Sequence, residues 1–385
     1  MHKKAVAKII VFILLFSLIP IPIAAEEFDI NAKSAILIDG KSGDVIYEKN
    51  SHEKLPPASV TKIMTMLLTM EAIERGDIHL EDKVTISARA ESMGGSQLYL
   101  ETGEQQTVES LLKGIAISSA NDACVAMGEF IGGTEELFVA SMNKRAKELN
   151  MVNTNFVNTN GLPVENHYTT AYDIAIMSRE LLKHPTIHNW LTIWMDTLTV
   201  GKDGKPKTEL GLTNTNRLIK TYPGANGIKT GYTGEAGYCL SASATKNNMT
   251  LISVVLGAPT THVRWNESAK LLDYGFAVYE CMTLASKNQV LGTVNVDKGK
   301  EEVIHVIPEE EISLLIKKED RKNITKEINM PEQVKAPIKK GSIIGELVVY
   351  RNNEIYKTYP LIAETDIESA SILNIYYKLF KSIIY

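Results

Sequence analysis

Ser59-Val60-Thr61-Lys62 opens a long apolar segment directly after Leu55-Pro56-Pro57-Ala58. Residues three apart share one face of a helix, so Ser59 and Lys62 meet across its first turn. A serine hydroxyl beside an amine is a candidate pair of nucleophile and base, and a helix N-terminus stabilises negative charge developing on the serine oxygen. The amine works as a base only when neutral, so burial or a nearby cation must lower its pKa. Ser-x-x-Lys is weak evidence alone, because it occurs five times, beginning at Ser51, Ser59, Ser110, Ser141 and Ser243. Context separates the copies. Ser51 and Lys54 lie in a polar loop, the Ser110 and Ser141 pairs lie within amphipathic helices, and the Ser243 pair falls on opposite faces of a strand.

Two further groups carry chemistry. Ser119-Ala120-Asn121 occupies a break between two helical stretches. Read as structure, Asn121 caps the helix that restarts there. Read as chemistry, Ser119 relays a proton to a leaving amine and Asn121 holds substrate amide groups. Ser-x-Asn recurs at Ser141 and Ser286, so this motif too is weak in isolation. Lys229-Thr230-Gly231 occurs once, in a strand pattern that puts Lys229 and Gly231 on one face and Thr230 on the other. Gly231 lets a substrate backbone approach an edge strand closely. Lys229 can bind a carboxylate and depress the pKa of Lys62; the plainer reading is a surface lysine on a strand.

The elements that must position these residues are legible. Ala35 to Asp39 and Val45 to Lys49 flank Gly40-Lys41-Ser42-Gly43 as a hairpin. A helix from Val60 to Arg75 has an apolar face too broad for a surface helix, which predicts burial at a domain centre. Further helices are expected at 108–115, 122–131, 135–149, 171–182 and 262–279, with Thr134 and Thr170 as N-caps. Strands are expected at 193–200, 227–232, 238–245 and 251–256, with Asn247-Asn248 turning the last hairpin. Sheet segments at both ends with helices between them make residues 26–283 an α+β domain. Short alternating runs within 284–364, separated by Gly, Pro and charges, predict a small all-β domain.

The ends of the chain predict location. Lys3, Lys4 and Lys8 precede an apolar run from Ile9 to Ile23, broken by Pro20 and Pro22 and followed by Ala24-Ala25. This is the pattern of a secretory leader over 1–25, since about 15 apolar residues are too few for a full membrane span. At the other end, residues 365–385 read as a helix with one thin polar stripe (Ser371, Asn374, Lys378, Lys381) and a wide apolar face. Such a helix suits a membrane interface; the alternative is docking on the protein's own core. The odd number of cysteines, Cys124, Cys239 and Cys281, argues against a disulfide framework and reads as three small core residues. A net charge of −5 with 23% charged residues gives no basic footprint for nucleic acid.

Together the three motifs, in this order and spacing, resemble the shared set of penicillin-binding proteins and class A β-lactamases. The chain is most similar in pattern to the low-molecular-mass D-alanyl-D-alanine carboxypeptidases. The surrounding text carries the same resemblance: Gly94-Gly95-Ser96-Gln97, Asn121-Asp122-Ala123-Cys124, Phe156-Val157-Asn158-Thr159-Asn160-Gly161-Leu162, Asn166-His167-Tyr168, and Tyr232-Thr233 followed by Ala236-Gly237-Tyr238. The resemblance implies an antiparallel sheet flanked by helices, then a small β domain and a terminal amphipathic helix. It implies no cofactor and no metal. Its partners would be peptidoglycan stem peptides, β-lactam inhibitors and a membrane surface, on the extracytoplasmic face of a bacterial cell.

The resemblance also implies roles. Ser59 attacks the carbonyl between two D-alanines, Lys62 takes its proton, and Ser119 helps to protonate departing D-alanine. Backbone N–H groups of Ser59 and Tyr232 form the oxyanion hole, while Lys229 and Thr230 hold the terminal carboxylate. The acyl-enzyme is then released by water. Where related enzymes often carry Asn-Arg-Asn, this chain reads Asn214-Thr215-Asn216-Arg217, and Arg217 is left outside the catalytic set.

Other readings remain. A class A β-lactamase would need a deacylating glutamate, for which Glu165 is the nearest candidate. A non-catalytic, membrane-bound wall-peptide scaffold would leave the intact motif set without a purpose. A metal site at His184 and His188 is disfavoured by Pro185 between them. A Ser-His-Asp triad would need His167, which the lysine-based reading leaves as a structural residue.

Overall fold

Strands far apart in sequence meet in one antiparallel sheet. β1 (Ser34–Asp39) and β2 (Val45–Lys49) form the first hairpin, and β3 (Ala225–Thr233), β4 (Gly237–Lys246) and β5 (Met249–Ala258) return much later in the chain. Their order is β2-β1-β5-β4-β3, every neighbour antiparallel. Asn247 and Asn248 both have positive φ, as the tight turn between β4 and β5 requires. The computed structural model describes residues 28–371. Phe28 to Asn31 are the described end of a separate N-terminal unit, and the rest belongs to one body. The leader expected over 1–25 lies outside the described residues.

The helices follow the expected positions closely. α1 (Lys62–Glu74) is preceded by a 3-10 turn, Ala58–Thr61. Then come α2 (Val108–Lys113), α3 (Asn121–Gly132), α4 (Glu135–Glu148), α5 (Ala171–Leu182) and α6 (Thr261–Val278). Every residue of α1 from Lys62 to Met70 is buried, so its broad apolar face does mark a central helix. Thr134 and Thr170 cap α4 and α5, their side chains accepting from the Leu137 and Asp173 amides. α5 and α6 pack on the strands of the main sheet. Two expectations shift. The helix after Val108 widens into a π turn over Gly114–Ser118, and the strand at Met195–Val200 pairs only with Thr208–Thr213, outside the main sheet.

The second domain is all-β. It comprises β6 (Tyr279–Ala285), β7 (Gly292–Asp297), β8 (Val303–Ile307), β9 (Ile312–Lys317), β10 (Ile324–Asn329), β11 (Gln333–Lys335), β12 (Ile343–Arg351) and β13 (Glu354–Ala363). β6 and β9 form a ribbon, and the others a sheet in the order β10-β12-β13-β8-β7-β11. Val294, Ile304, Val306, Leu314, Leu347, Val349 and Leu361 fill its own core.

Two sequence expectations are corrected here. Residues 365–371 do not begin a helix. Ile367 is buried in the β-domain core and its backbone bonds reciprocally to Ile338, while the Ala370 amide donates to the Lys298 carbonyl. Those backbone pairings hold the segment extended; residues 372–385 lie outside the described residues. Cys124 and Cys239 are buried as expected, but Cys281 is only half-buried. It sits on β6, whose strand partner among the described residues is β9, and it lines a cavity of about 360 Å³ with Asp39, Ile312, Tyr359 and Pro360.

Candidate active site

Ser59 is presented by a strained turn. Ala58 before it has φ +49°, and Gly161 packs so tightly on that turn that a Cβ at position 161 would stand 1.8 Å from the Ala58 carbonyl oxygen. Gly161 itself has φ +87°, so both its conformation and its neighbour demand glycine. Asn158 holds the clamping loop by accepting the Gly161 amide at 2.7 Å. The serine is left half-buried at the head of the central helix.

Lys62 is fully buried beneath it. Its Nζ lies 2.9 Å from Ser59 Oγ, 2.7 Å from Asn121 Oδ1 and 2.7 Å from the Asn160 carbonyl oxygen. Burial pushes its pKa down to about 8, against smaller upward pulls from Cys124 and Asp122. The neutral amine has two N–H bonds and one lone pair. The amide oxygen and the carbonyl only accept, so they take both N–H bonds. The lone pair then faces the one partner that can donate, the Ser59 hydroxyl.

β3 supplies the opposite wall. It is an edge strand, with Lys229 across from Ser241 and Gly231 across from Cys239. A Cβ on Gly231 would approach Ser59 N to 2.9 Å and Pro57 O to 3.1 Å, so glycine lets the strand lie against the nucleophile's own backbone. Lys229 is buried and donates to the Thr230 carbonyl at 3.2 Å. Its pKa falls well below the usual lysine value through burial first and the Lys62 charge second. The two buried amines repel each other when both are charged, which disfavours the doubly protonated pair. Thr230 Oγ1 donates to Thr215 Oγ1 at 2.6 Å. Tyr232 is exposed and its ring lies 4.4 Å from that of Tyr238.

The third side is the break before α3. The π turn ends at Ser119, whose left-handed backbone (φ 64°) lets the chain restart as a helix at Asn121. Asn121 is not a cap: the N-cap is Ala120, without a side-chain bond. Instead Asn121 Nδ2 donates to the Gly94 carbonyl at 2.6 Å while its Oδ1 meets Lys62. Ser119 is buried in the same layer, and no direct hydrogen bond joins it to Ser59 or Lys62 among the described residues.

The other candidates separate from this site. His167 accepts the Val157 amide on Nδ1 and contacts Thr61 Oγ1 through Nε2, and burial lowers its pKa to about 4. It is a neutral structural ring. Glu165 is exposed in a groove with Lys54, Pro56 and Glu235. His184 pairs with Glu74, and His188 with the Leu182 carbonyl. Among the described residues no group of three or more His, Cys, Asp or Glu is placed to hold a metal.

The sequence reading missed Arg264 and Thr215. Arg264, on the first turn of α6, is buried behind β3 and donates to the Gly231 and Cys239 carbonyls at 3.2 and 3.3 Å. Its Nε has no partner in the described structure. The available signal was its place on the helix, because Arg264, Ser268, Leu271, Leu272 and Gly275 form the buried stripe of α6. A guanidinium on a buried stripe is costly unless it has work to do. Arg217, by contrast, is exposed and stacks on Trp265, 5.3 Å from the ring centroid.

Known proteins resemble the chain across both domains. The D-alanyl-D-alanine carboxypeptidase family model matches residues 22–260, and the model for the C-terminal domain of penicillin-binding protein 5 matches residues 279–369. D-alanyl-D-alanine carboxypeptidase DacF of Bacillus subtilis is 48% identical over 97% of this chain and 96% of its own. DacC of Escherichia coli is 36% identical over 94% and 91%. Among solved structures, penicillin-binding protein 5 of Haemophilus influenzae superposes with a TM-score of 0.76 at 31% identity, covering 89% of this chain and 98% of that one. Both domains of the chain are thus matched by families of one lineage. The chain belongs to the D-alanyl-D-alanine carboxypeptidase family, the low-molecular-mass penicillin-binding proteins.

Proposed function

We propose that the protein removes the terminal D-alanine from peptidoglycan stem peptides through an acyl-enzyme on Ser59. The observation that carries this reading is the buried Lys62 amine 2.9 Å from Ser59 Oγ, with its other two contacts both acceptors. Lys62 takes the Ser59 proton as Oγ bonds to the penultimate D-alanine carbonyl carbon. The C–N bond then breaks, and the departing amine receives a proton through Ser119. Water adds to the ester, the Ser59–acyl bond breaks, and Oγ recovers its proton. Backbone N–H groups of Ser59 and Tyr232 receive the developing oxyanion, the kind of contact worth roughly 3–4 kcal/mol per donor. Lys229 and Thr230 hold the terminal carboxylate, with Gly231 admitting the substrate backbone to the strand edge. Arg264, close behind that strand, adds positive charge there. A β-lactam would acylate the same oxygen.

The same reading divides the chain into a cleaved leader (1–25), a catalytic domain, a β-rich domain that begins with β6 and includes the Ile367 pairing, and a terminal segment beyond it that reaches the membrane surface. It places the enzyme outside the cytoplasmic membrane. No helix among the described residues is long and apolar enough to cross a membrane. The amphipathic pattern of the last residues supports surface attachment.

The test is to incubate the exported form with a peptide ending in Lys-D-Ala-D-Ala and measure free D-alanine, with Ser59→Ala as control. Release that is lost in the variant and blocked by penicillin supports the reading. Intact penicillin labelling without release would move the substrate elsewhere. Neither labelling nor release would sink the enzymatic reading.

A further inference from the structure

Asp122 is a buried carboxylate to which the mechanism above gives no role. It stands one residue after Asn121 and accepts the Leu98 amide at 2.9 Å, the Leu100 amide at 3.3 Å and the Ala123 amide at 2.8 Å. Between the first two donors, Tyr99 adopts φ +59° and shows 70% of its surface to solvent. Backbone amides converging on one anion around a left-handed residue form an anion nest, and here a side chain of the same protein fills it. The neighbouring residue completes the attachment: the Asn121 amide donates to the Ser96 carbonyl at 2.7 Å, and its Nδ2 to the Gly94 carbonyl at 2.6 Å. The segment 94–100 is therefore pinned to the first turn of α3, the same turn that supplies the acceptor for Lys62.

We infer that Asp122 is a positioning residue for the acylation step, fixing the 94–100 rim and the Asn121 acceptor as one piece and setting a negative charge behind Lys62. The inference rests on the acyl-enzyme reading of Ser59 and Lys62. Two consequences follow from distinct properties of the carboxylate. Its hydrogen bonds hold Asn121 in register with the amine, and a loose acceptor would let the lone pair turn away from Ser59. Its charge favours the ammonium form of Lys62, opposing burial. The other titratable groups that interact with Lys62 are Cys124 from α3 and Lys229 from β3; Glu135 acts on Cys124, and Arg264 on Lys229. The Cys124 thiol is held protonated, pushed up to about 12 by burial. Asp122 is thus the carboxylate on α3 whose charge acts on the base.

The experiment compares the full exported chain with Asp122→Asn and Asp122→Glu. It measures kcat/KM for D-alanine release and the rate of fluorescent-penicillin acylation across pH. In D122N the rates fall roughly tenfold as the rim loosens, and the acid limb moves to lower pH because the charge that favoured the ammonium is gone. In D122E the rate also falls, but the limb stays near its original place because the charge remains. A rate loss with no difference in limb between the two variants would overturn the inference and leave Asp122 as packing alone. Amide hydrogen exchange on the unmodified protein gives a reading independent of whether D122N folds. Leu98 and Leu100 must be protected like the helix cores, and rapid exchange there would overturn the nest. An unmodified protein that neither releases D-alanine nor binds penicillin would instead defeat the acyl-enzyme reading, and this inference with it.

Discussion

The Lys62 amine and the Ser59 hydroxyl are 2.9 Å apart, and the two remaining Lys62 contacts, Asn121 Oδ1 and the Asn160 carbonyl oxygen, can only accept. This dictates the pH behaviour. With a pKa of about 8, Lys62 is an ammonium below that value and a base above it. The acid limb of kcat/KM, which reports the free enzyme, is expected near pH 8, with activity rising as pH rises through it. Lys62→Arg cannot deprotonate, so it should lose on the order of 10²–10⁴ in acylation rate above the limb and show no such limb itself. A limb with the opposite slope would contradict the base assignment.

Gly231 tests the wall rather than the base. A methyl there would stand 2.9 Å from the Ser59 amide nitrogen and 3.0 Å from the Ala58 side chain. Gly231→Ala should displace β3 from the oxyanion donor, with kcat falling roughly 10²-fold as when one such donor is lost. Binding should suffer less. Steady-state kinetics would show this split, and a loss confined to KM would argue that the strand only binds.

Arg264 predicts a dependence on substrate charge. It lies behind Gly231 with an unpartnered Nε. Arg264→Leu should lower kcat/KM for a peptide with a free terminal carboxylate by roughly 10–100-fold, the scale of a lost charge-assisted bond. The same peptide with a C-terminal amide, already a poor substrate, should change little. Equal losses for both peptides would mean that the arginine serves packing alone.

His167 predicts a stability effect separate from catalysis. Its folded pKa is about 4 against 6.5 when free, so the unfolded chain binds the proton first as pH falls. Stability is fully present above about pH 6.5 and is lost as pH falls towards about 4, by about 3 kcal/mol in the limit for this group. Protonation at Nδ1 also ejects the Val157 amide. Thermal melts from pH 7.5 to 4.5 should fall more steeply than those of His167→Gln. Parallel slopes would show that the ring does not govern acid stability.

The sequence was most informative where periodicity and chemistry coincided. The breadth of the apolar face on 60–75 identified the central helix, and the unique Lys229-Thr230-Gly231 identified the edge strand. Threonines at 134 and 170 announced two helix starts correctly because capping is local. What stayed hidden depended on contacts between distant segments. Arg264 joins the site through carbonyls on β3 and β4, and no local pattern links them. Asn121 carries both a capping and a substrate-holding reading in the sequence, and in the structure its amide bonds Gly94 and Lys62. The segment 365–371 carries the beginning of an amphipathic pattern, but pairing with Ile338 and Lys298 holds it extended. In the β domain, Ile324-Thr-Lys-Glu-Ile-Asn is a strand whose exposed charges blur its alternation.

The most direct test of the central claim is to trap the covalent intermediate. The exported protein is mixed with penicillin, quenched in acid, digested and mapped by mass spectrometry. The account predicts one adduct, on the peptide carrying Ser59, absent from Ser59→Ala and formed more than a hundredfold more slowly in Lys62→Arg, as loss of a general base implies. An adduct on another residue, or one that forms at an unchanged rate without the lysine, would contradict it.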